Sequence, residues 1–201
     1  LLINPPRFNE LIGKNPAIVE KHRGFNPPLG LLCLAGYMEA NSSHKAEVID
    51  AQPPGWDYDA LQRQIEQRDF DVCGVTAMTF TLIDVIKTCE VVRRANPSAK
   101  IVLGGPHVHL FPDETISRPE IDFLIQGEGE IAFVEFMDKF QQPDQWDSIP
   151  GIVYQRADGG IVNKGIAAST DDLDLLGLPA RDKLDLSMYT SLLGRSNVVT
   201  T

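Results

Sequence analysis

Val72-Cys73-Gly74-Val75-Thr76-Ala77-Met78-Thr79, followed after a helical stretch by Ile101-Val102-Leu103-Gly104-Gly105-Pro106-His107, is the part of this chain that decides its fold. Each run is a short apolar segment of buried-strand type that stops in small or hydroxylated residues. Between them Leu82, Val85, Ile86 and Cys89 share one helical face, and Asn96-Pro97 ends that helix. A strand, a helix and a second strand in this order make a parallel pair, because a parallel return needs a crossover. In open parallel sheets the ligand crevice lies beyond the carboxyl ends of the strands, here at Thr76–Thr79 and Gly104–His107. Glycine at such an edge leaves main chain bare to a ligand.

The same alternation extends in both directions. Leu1–Asn4 reads as a strand broken by Pro5-Pro6, so the chain opens inside an element and upstream residues are expected to be missing. An irregular stretch through Arg23 and Gly24 leads to Pro27-Pro28-Leu29-Gly30, where a helix starts with Leu31, Leu34, Ala35 and Met38 on its inner stripe. Ala46–Asp50 is a second strand, and Asp57–Arg68 a helix that opens with acids suited to its positive end. Pro112 starts a short helix near Ile116, Ile121–Ile125 is the fifth strand, and Phe133, Phe136, Met137 and Phe140 line the last long helix. The expectation is an α/β domain over residues 1–145, with a doubly wound, five-stranded parallel sheet.

Beyond it the pattern changes. Ile152–Gln155 and Ile161–Lys164 flank Ala157-Asp158-Gly159-Gly160, which predicts a β-hairpin appendage over 146–168. Residues 169–201 are acidic and Leu-rich as far as Tyr189, a connector expected to pack along another domain, and Val198–Thr201 resembles a new strand cut short. No repeat or low-complexity tract interrupts the chain.

Bulk properties narrow the chemistry. A net charge of −10 disfavours a nucleic-acid or anionic-membrane surface. No apolar run is long enough to span a bilayer, and no secretory leader pattern opens the chain. Cys33, Cys73 and Cys89 are widely spaced and fall on apolar faces, as small hydrophobes do. A soluble, cytoplasmic protein is the expectation. The first strand is followed by Asn4-Pro5-Pro6-Arg7, without the glycine turn of a dinucleotide site, which disfavours NAD and FAD. Asn4 and Thr76 stand where a phosphate receiver needs acids for Mg²⁺. The hydroxyl-rich phosphate loop of a flavodoxin FMN site is also absent.

What remains is a flavodoxin-like (Rossmann-like) fold whose third and fourth strands end in Thr76-Ala77-Met78-Thr79 and Gly104-Gly105, and at these residues the chain resembles the cobalamin-binding domain. That family carries Ser-x-Leu and Gly-Gly at the two places, cradling the nucleotide tail of the cofactor; Thr and Met replace Ser and Leu here. The family's Asp-x-His-x-x-Gly after the first strand has no counterpart, so no histidine is expected as a cobalt ligand. The departure is similar to a subgroup, the amino-terminal half of cobalamin-dependent radical S-adenosylmethionine enzymes, which includes methyltransferases and an oxidative cyclase of chlorophyll precursors. The matching segments are Asn4-Pro5-Pro6, Pro27–Gly30, Gly74–Thr76, Leu103–His107, Gly127-Glu128-Gly129-Glu130, Ile149–Ile152 and Leu178–Arg181.

The resemblance implies cobalamin as cofactor, with Asn4, Pro5, Thr76, Ala77, Met78, Thr79, Gly104, Gly105, Pro106, His107, Gly127 and Glu128 as candidate contacts, and no catalytic or metal-ligating residue in this stretch. It also implies a catalytic domain of the same polypeptide, absent here, that carries a [4Fe–4S] cluster and S-adenosylmethionine. Plainer readings stay open at each position. Gly104-Gly105 also suits a tight turn, Thr76 and Thr79 a helix cap, and Gly127–Glu130 a turn with acids at a helix start. His107 is expected at the crevice mouth as a polar contact. His22, His44, His109, Arg7 and Arg23 are expected on the surface. Two rival functions are a cofactor-free scaffold or interaction domain and an FMN- or nucleotide-binding domain.

Overall fold

A computed structural model describes residues 1–10 and 24–189. Arg23, His22 and the expected strand at Val198–Thr201 lie outside the described residues. Seven strands form one sheet: β1 (Leu2–Asn4), β2 (Val48–Asp50), β3 (Val72–Thr76), β4 (Lys100–Gly104), β5 (Phe123–Ile125), β6 (Ile152–Gln155) and β7 (Ile161–Asn163). Their spatial order is β2-β1-β3-β4-β5-β6-β7. The first five pair in parallel, in the 2-1-3-4-5 order of flavodoxin-like sheets. The expected five-stranded count is therefore exceeded by two. The hairpin does not stand apart: β6 pairs antiparallel with β5, Leu124 opposite Val153, and β7 follows at the edge. Ile152, Val153 and Tyr154 are buried there, and the pairing satisfies backbone groups that an edge at β5 would leave open.

Among the described residues six α-helices cover the two faces: α1 (Leu29–Asn41), α2 (Tyr58–Ile65), α3 (Leu82–Ala95), α4 (Pro106–Leu110), α5 (Pro112–Ile116) and α6 (Gly129–Lys139). Alternation along each strand divides the core. Leu2, Val48, Val102 and Phe123 pack with α1 and α6 on one face, while Ile3, Ile49, Ile101 and Leu124 pack with α2, α3, α4 and α5 on the other. Cys73 and Cys89 are buried in the second layer, and burial pushes the Cys73 thiol up to about 12 and raises that of Cys89 as well. Among the described residues no helix is long and apolar enough to cross a membrane.

Two tethers position the loops at the carboxyl edge. Asp84, fully buried in the first turn of α3, accepts from the backbone N–H groups of Phe8 (3.2 Å) and Asn9 (2.8 Å), from Asn9 Nδ2 (2.8 Å) and from the Tyr58 hydroxyl. This fixes the chain just after β1, at Phe8 and Asn9. The second tether is the carboxy-terminal segment 178–189, which lies as a strap against α1 of its own domain, where a connector along another domain was expected. Ala180 N–H donates to Leu32 O at 2.9 Å, and Lys183 pairs with Glu39. The approach is close because Gly36 has no side chain: a Cβ there would stand 2.2 Å from Leu178 O.

Gly36→Val should therefore force the strap off α1, with a stability loss of about 1–3 kcal/mol, typical of overpacking. Thermal unfolding and limited proteolysis of segment 178–189 measure this; an unchanged melting temperature together with unchanged cleavage would contradict the packing account.

Candidate functional site

Parallel pairing brings the ends of the central strands to one rim. Thr76 stands opposite Gly104 in the β3–β4 register, and Asn4 stands opposite Asp50 where β1 meets β2. Two cavities open along this rim. The first, of about 270 Å³, runs between the sheet and helices α1 and α6, walled by Leu31, Leu34, Ile125 and Phe133 and floored by Gly74 and Gly104. The second, of about 420 Å³, lies over β1 and β3 and includes Asn4, Arg7, Gln52, Met78 and Thr81. Gly30, Leu31 and Thr76 belong to both, so an apolar slot continues into a polar mouth.

The glycines around the slot separate into two kinds. Gly105 has φ 104° and ψ −179°, a region that essentially only glycine occupies, and a Cβ on it would lie 2.9 Å from Ala77 O. Gly127, at φ 97°, would press a Cβ to 2.7 Å from Ala167 O, where the chain returns from β7. Both are needed by the backbone. Gly104 is not: its φ is ordinary, and a Cβ would meet nothing nearer than Ile125 O at 3.9 Å. Around Gly30 and Gly129 a Cβ would find no atom within 4 Å. Gly30 sits in the first turn of α1, and glycine is a weaker helix former than alanine. The fold gains nothing visible from these three missing side chains; the slot does.

Of the residues singled out from sequence, Thr76, Gly104, Gly105, Gly127 and Glu128 line the slot, and Asn4 and Met78 line the mouth. The others hold the rim together from behind. Ala77 is buried, its N–H donating to Gly104 O (2.7 Å) and its carbonyl accepting from His107 N–H (3.1 Å). Pro5 is buried, with its carbonyl accepting from Gln52 Nε2 at 3.1 Å. Pro106 opens α4. His107 departs from its expected place at the crevice mouth. It lies in the first turn of α4 and is buried, its Nδ1 3.2 Å from the Thr79 hydroxyl and its ring 5.4 Å from that of Phe111, and burial holds its pKa below the ordinary histidine value. His109 is no free surface residue either, since its Nε2 accepts from Gly127 N–H at 2.6 Å and fixes the loop after β5.

Sequence reading left out several wall residues. Arg7, expected in solvent, is ion-paired with Glu10 in the wall of the mouth, and Gln52 stands nearby. Glu130, in the first turn of α6, lines the slot half-buried, and burial raises its carboxyl above the usual range, with Glu128 adding to the effect. On α1, burial and the Glu130 charge both raise the Cys33 thiol. A glycine within the first turn of a helix, as at Gly30, was the available signal for the α1 wall.

The family model described as B12 binding domain matches residues 16–137. An uncharacterized methyltransferase, PH0819 of Pyrococcus horikoshii, is 29% identical over 164 residues, covering 81% of this chain and 35% of that protein. The anaerobic magnesium-protoporphyrin IX monomethyl ester cyclase of Synechocystis sp. is 28% identical over 204 residues, covering 99% of this chain and 38% of the cyclase. The chain thus spans about a third of the length of curated relatives it matches. Among solved structures, the cobalamin-dependent S-adenosylmethionine radical enzyme OxsB with aqua-cobalamin and S-adenosylmethionine bound superposes with TM-score 0.72 at 17% identity, over 90% of this chain and 24% of OxsB. The radical S-adenosylmethionine methyltransferase TsrM of Kitasatospora setae, with cobalamin and a [4Fe–4S] cluster bound, gives 0.64 at 18% identity, over 86% of this chain and 29% of TsrM. At these identities the two structures speak for the fold.

Glu130 yields a pH prediction. Because its folded pKa is raised, the folded chain favours the protonated carboxyl, and its contribution to stability is lost as pH rises through that pKa. Glu130→Gln should match the wild type in acid and melt higher near neutrality, with a gap that opens as pH rises through the folded pKa and then levels off. Thermal melts across that range test it; a gap independent of pH would contradict the burial of Glu130.

Proposed function

The chain belongs to the B12-binding domain family, and from that premise we propose that the nucleotide tail of cobalamin enters the apolar slot while the corrin ring covers the polar mouth. The observation that carries this reading is the bare main chain at Gly104, together with Gly30 and Gly129, where side chains would be tolerated by the protein and would fill the space of a ligand. A slot of about 270 Å³ lies just under the roughly 300–1,000 Å³ usual for drug-sized ligands, which suits a tail and excludes a whole corrin. Leu31, Leu34 and Phe133 offer an apolar clamp for a flat base, and the Thr76 hydroxyl a polar contact where slot and mouth join. Asn4, Gln52 and Arg7 would meet the polar fringe of the ring. Gly105, Ala77, His107, Thr79, Pro106, Pro5 and Gly127 act in this scheme by shaping the rim. Cofactor-free scaffolding and an FMN or nucleotide site are not favoured by the family membership.

When bound, cobalamin supplies a cobalt centre that can carry a methyl group or exchange single electrons. The part of this chain is to hold and orient the ring and keep water from its buried side. We further assign the chain to a longer polypeptide whose other domain holds a [4Fe–4S] cluster and S-adenosylmethionine and performs a methyl transfer or cyclisation. The similarity to PH0819, to the magnesium-protoporphyrin ester cyclase and to the folds of OxsB and TsrM supports this assignment. Residues 1–145 would be the cobalamin-binding unit, 146–168 its hairpin extension and 169–201 the passage toward the catalytic domain. Three free thiols suit the reducing cytoplasm.

Hydroxocobalamin added to the protein should give a red complex that survives desalting. Gly104→Val should weaken that complex at least about tenfold while changing stability by less than about 1 kcal/mol, since the new side chain meets only ligand space. Gly105→Val, by contrast, should destabilise the protein itself by about 1–3 kcal/mol. Visible absorbance after desalting and thermal melting separate the two; wild-type protein that retains no corrinoid, or a Gly104→Val variant that binds normally, would overturn the assignment.

A further inference from the structure

One buried carboxylate at the rim is not used by the cofactor reading. Asp50, at the carboxyl end of β2, is almost wholly buried, and its two oxygens are divided between distant parts of the chain. Oδ1 accepts from Asn4 Nδ2 at 2.9 Å and from Gln52 N–H at 3.0 Å. Oδ2 accepts from the hydroxyl of Tyr189 at 2.8 Å, and Tyr189, the last described residue of the strap, is buried as well. An ionised carboxylate only accepts, so it holds the Asn4 amide with its NH₂ toward Asp50. Asn4 itself forms part of the wall of the mouth.

We propose that Tyr189 is a positioning residue for the cofactor crevice: through Asp50 it fixes Asn4 as a hydrogen-bond acceptor for an amide N–H of the kind that fringes a corrin ring. The proposal rests on the cobalamin reading above and extends it, because it makes the fit of the mouth depend on the strap being seated. The strap is anchored on α1 by Ala180, Lys183 and the Gly36 contact, so its tip delivers Tyr189 to the sheet edge in one place.

The groups facing Asp50 are Asn4 from β1, Gln52 from its own loop and Tyr189 from the strap, with Asp185 acting on Tyr189 from the same strap. Burial raises the Asp50 pKa and these three donors oppose the rise. Burial and the nearby Asp50 charge raise the Tyr189 phenol, so it remains a donor throughout the neutral range. Removing the Tyr189 hydroxyl raises the Asp50 pKa further. A protonated Asp50 donates, the Asn4 amide turns over, and the acceptor facing the mouth is lost.

The test is hydroxocobalamin affinity of the full-length protein and its Tyr189→Phe variant, measured by absorbance from about pH 5 to about pH 8. The variant should lose affinity at a higher pH than the wild type as pH falls, so its profile is displaced to higher pH, and the two should converge where Asp50 is ionised in both. Asp50→Asn serves as the second variant: its profile should be flat, and adding Tyr189→Phe to it should cost less than about twofold more, because the two changes act on one path. Superimposable profiles for wild type and Tyr189→Phe, a loss that does not vary with pH, or fully additive losses in the double variant would each overturn the proposal. Failure of the wild type to bind hydroxocobalamin at any pH would instead overturn the cofactor reading, and this proposal with it.

Discussion

The parallel register of β1, β3 and β4 is the constraint on which the rest depends. Every strand in a parallel sheet ends its carboxyl side at the same rim, so Asn4, Thr76 and Gly104, far apart in sequence, arrive side by side. The crossover helices cannot cover that rim, because each departs from it. A trough is left between the strand ends, the start of α1 and the start of α6, and its character follows from what the strands stop in. Had β4 ended in a branched residue rather than Gly104, the sheet would pair equally well and the trough would have no floor space.

That distinction separates two uses of glycine that look alike in a sequence. Gly105 and Gly127 satisfy backbone geometry and close contacts with Ala77 and Ala167, as any tight rim would require. Gly104, Gly30 and Gly129 satisfy nothing in the protein and keep a volume clear. Only the second kind argues for a ligand. Leu31, Leu34 and Phe133 belong to the same layer as the core, so the slot is in effect a gap in that core.

Two buried carboxylates give the rim its rigidity. Asp84 joins Phe8 and Asn9, just after β1, to Tyr58 of α2 through four donors, and Asp50 joins β1, β2 and the strap. A buried carboxylate is tolerated only where such donors surround it, so each is a place where loop conformations are strongly specified. Asp50 bonds directly to Asn4 and Gln52 in the wall of the polar mouth. The strap ties its far end into the same network, which links the path of the chain beyond the sheet to the shape of the crevice.

The alternation of apolar runs and helical stripes in the sequence determined the doubly wound core, and the residues in which β3 and β4 stop determined which edge carries the site. These are local signals: period two or 3.6, with small residues at a strand end, can be read without knowing what lies opposite. The sequence also carried the resemblance to cobalamin-binding domains, through short motifs in order. What it did not reveal depended on partners distant in the chain. Ile152–Gln155 looked like half of an isolated hairpin until β5 offered it an edge, and residues 178–189 looked like a connector until Gly36 offered them a groove. His107 and His109 read as crevice or surface residues, but Thr79 and the Gly127 N–H claimed them. Which of two adjacent glycines the backbone requires and which only leaves space open is invisible in the letters, because it is set by the distance from an absent Cβ to atoms brought there only by folding. The same holds for Asp50 and Tyr189, 139 residues apart, whose contact exists only because the strap returns across α1 to the sheet edge.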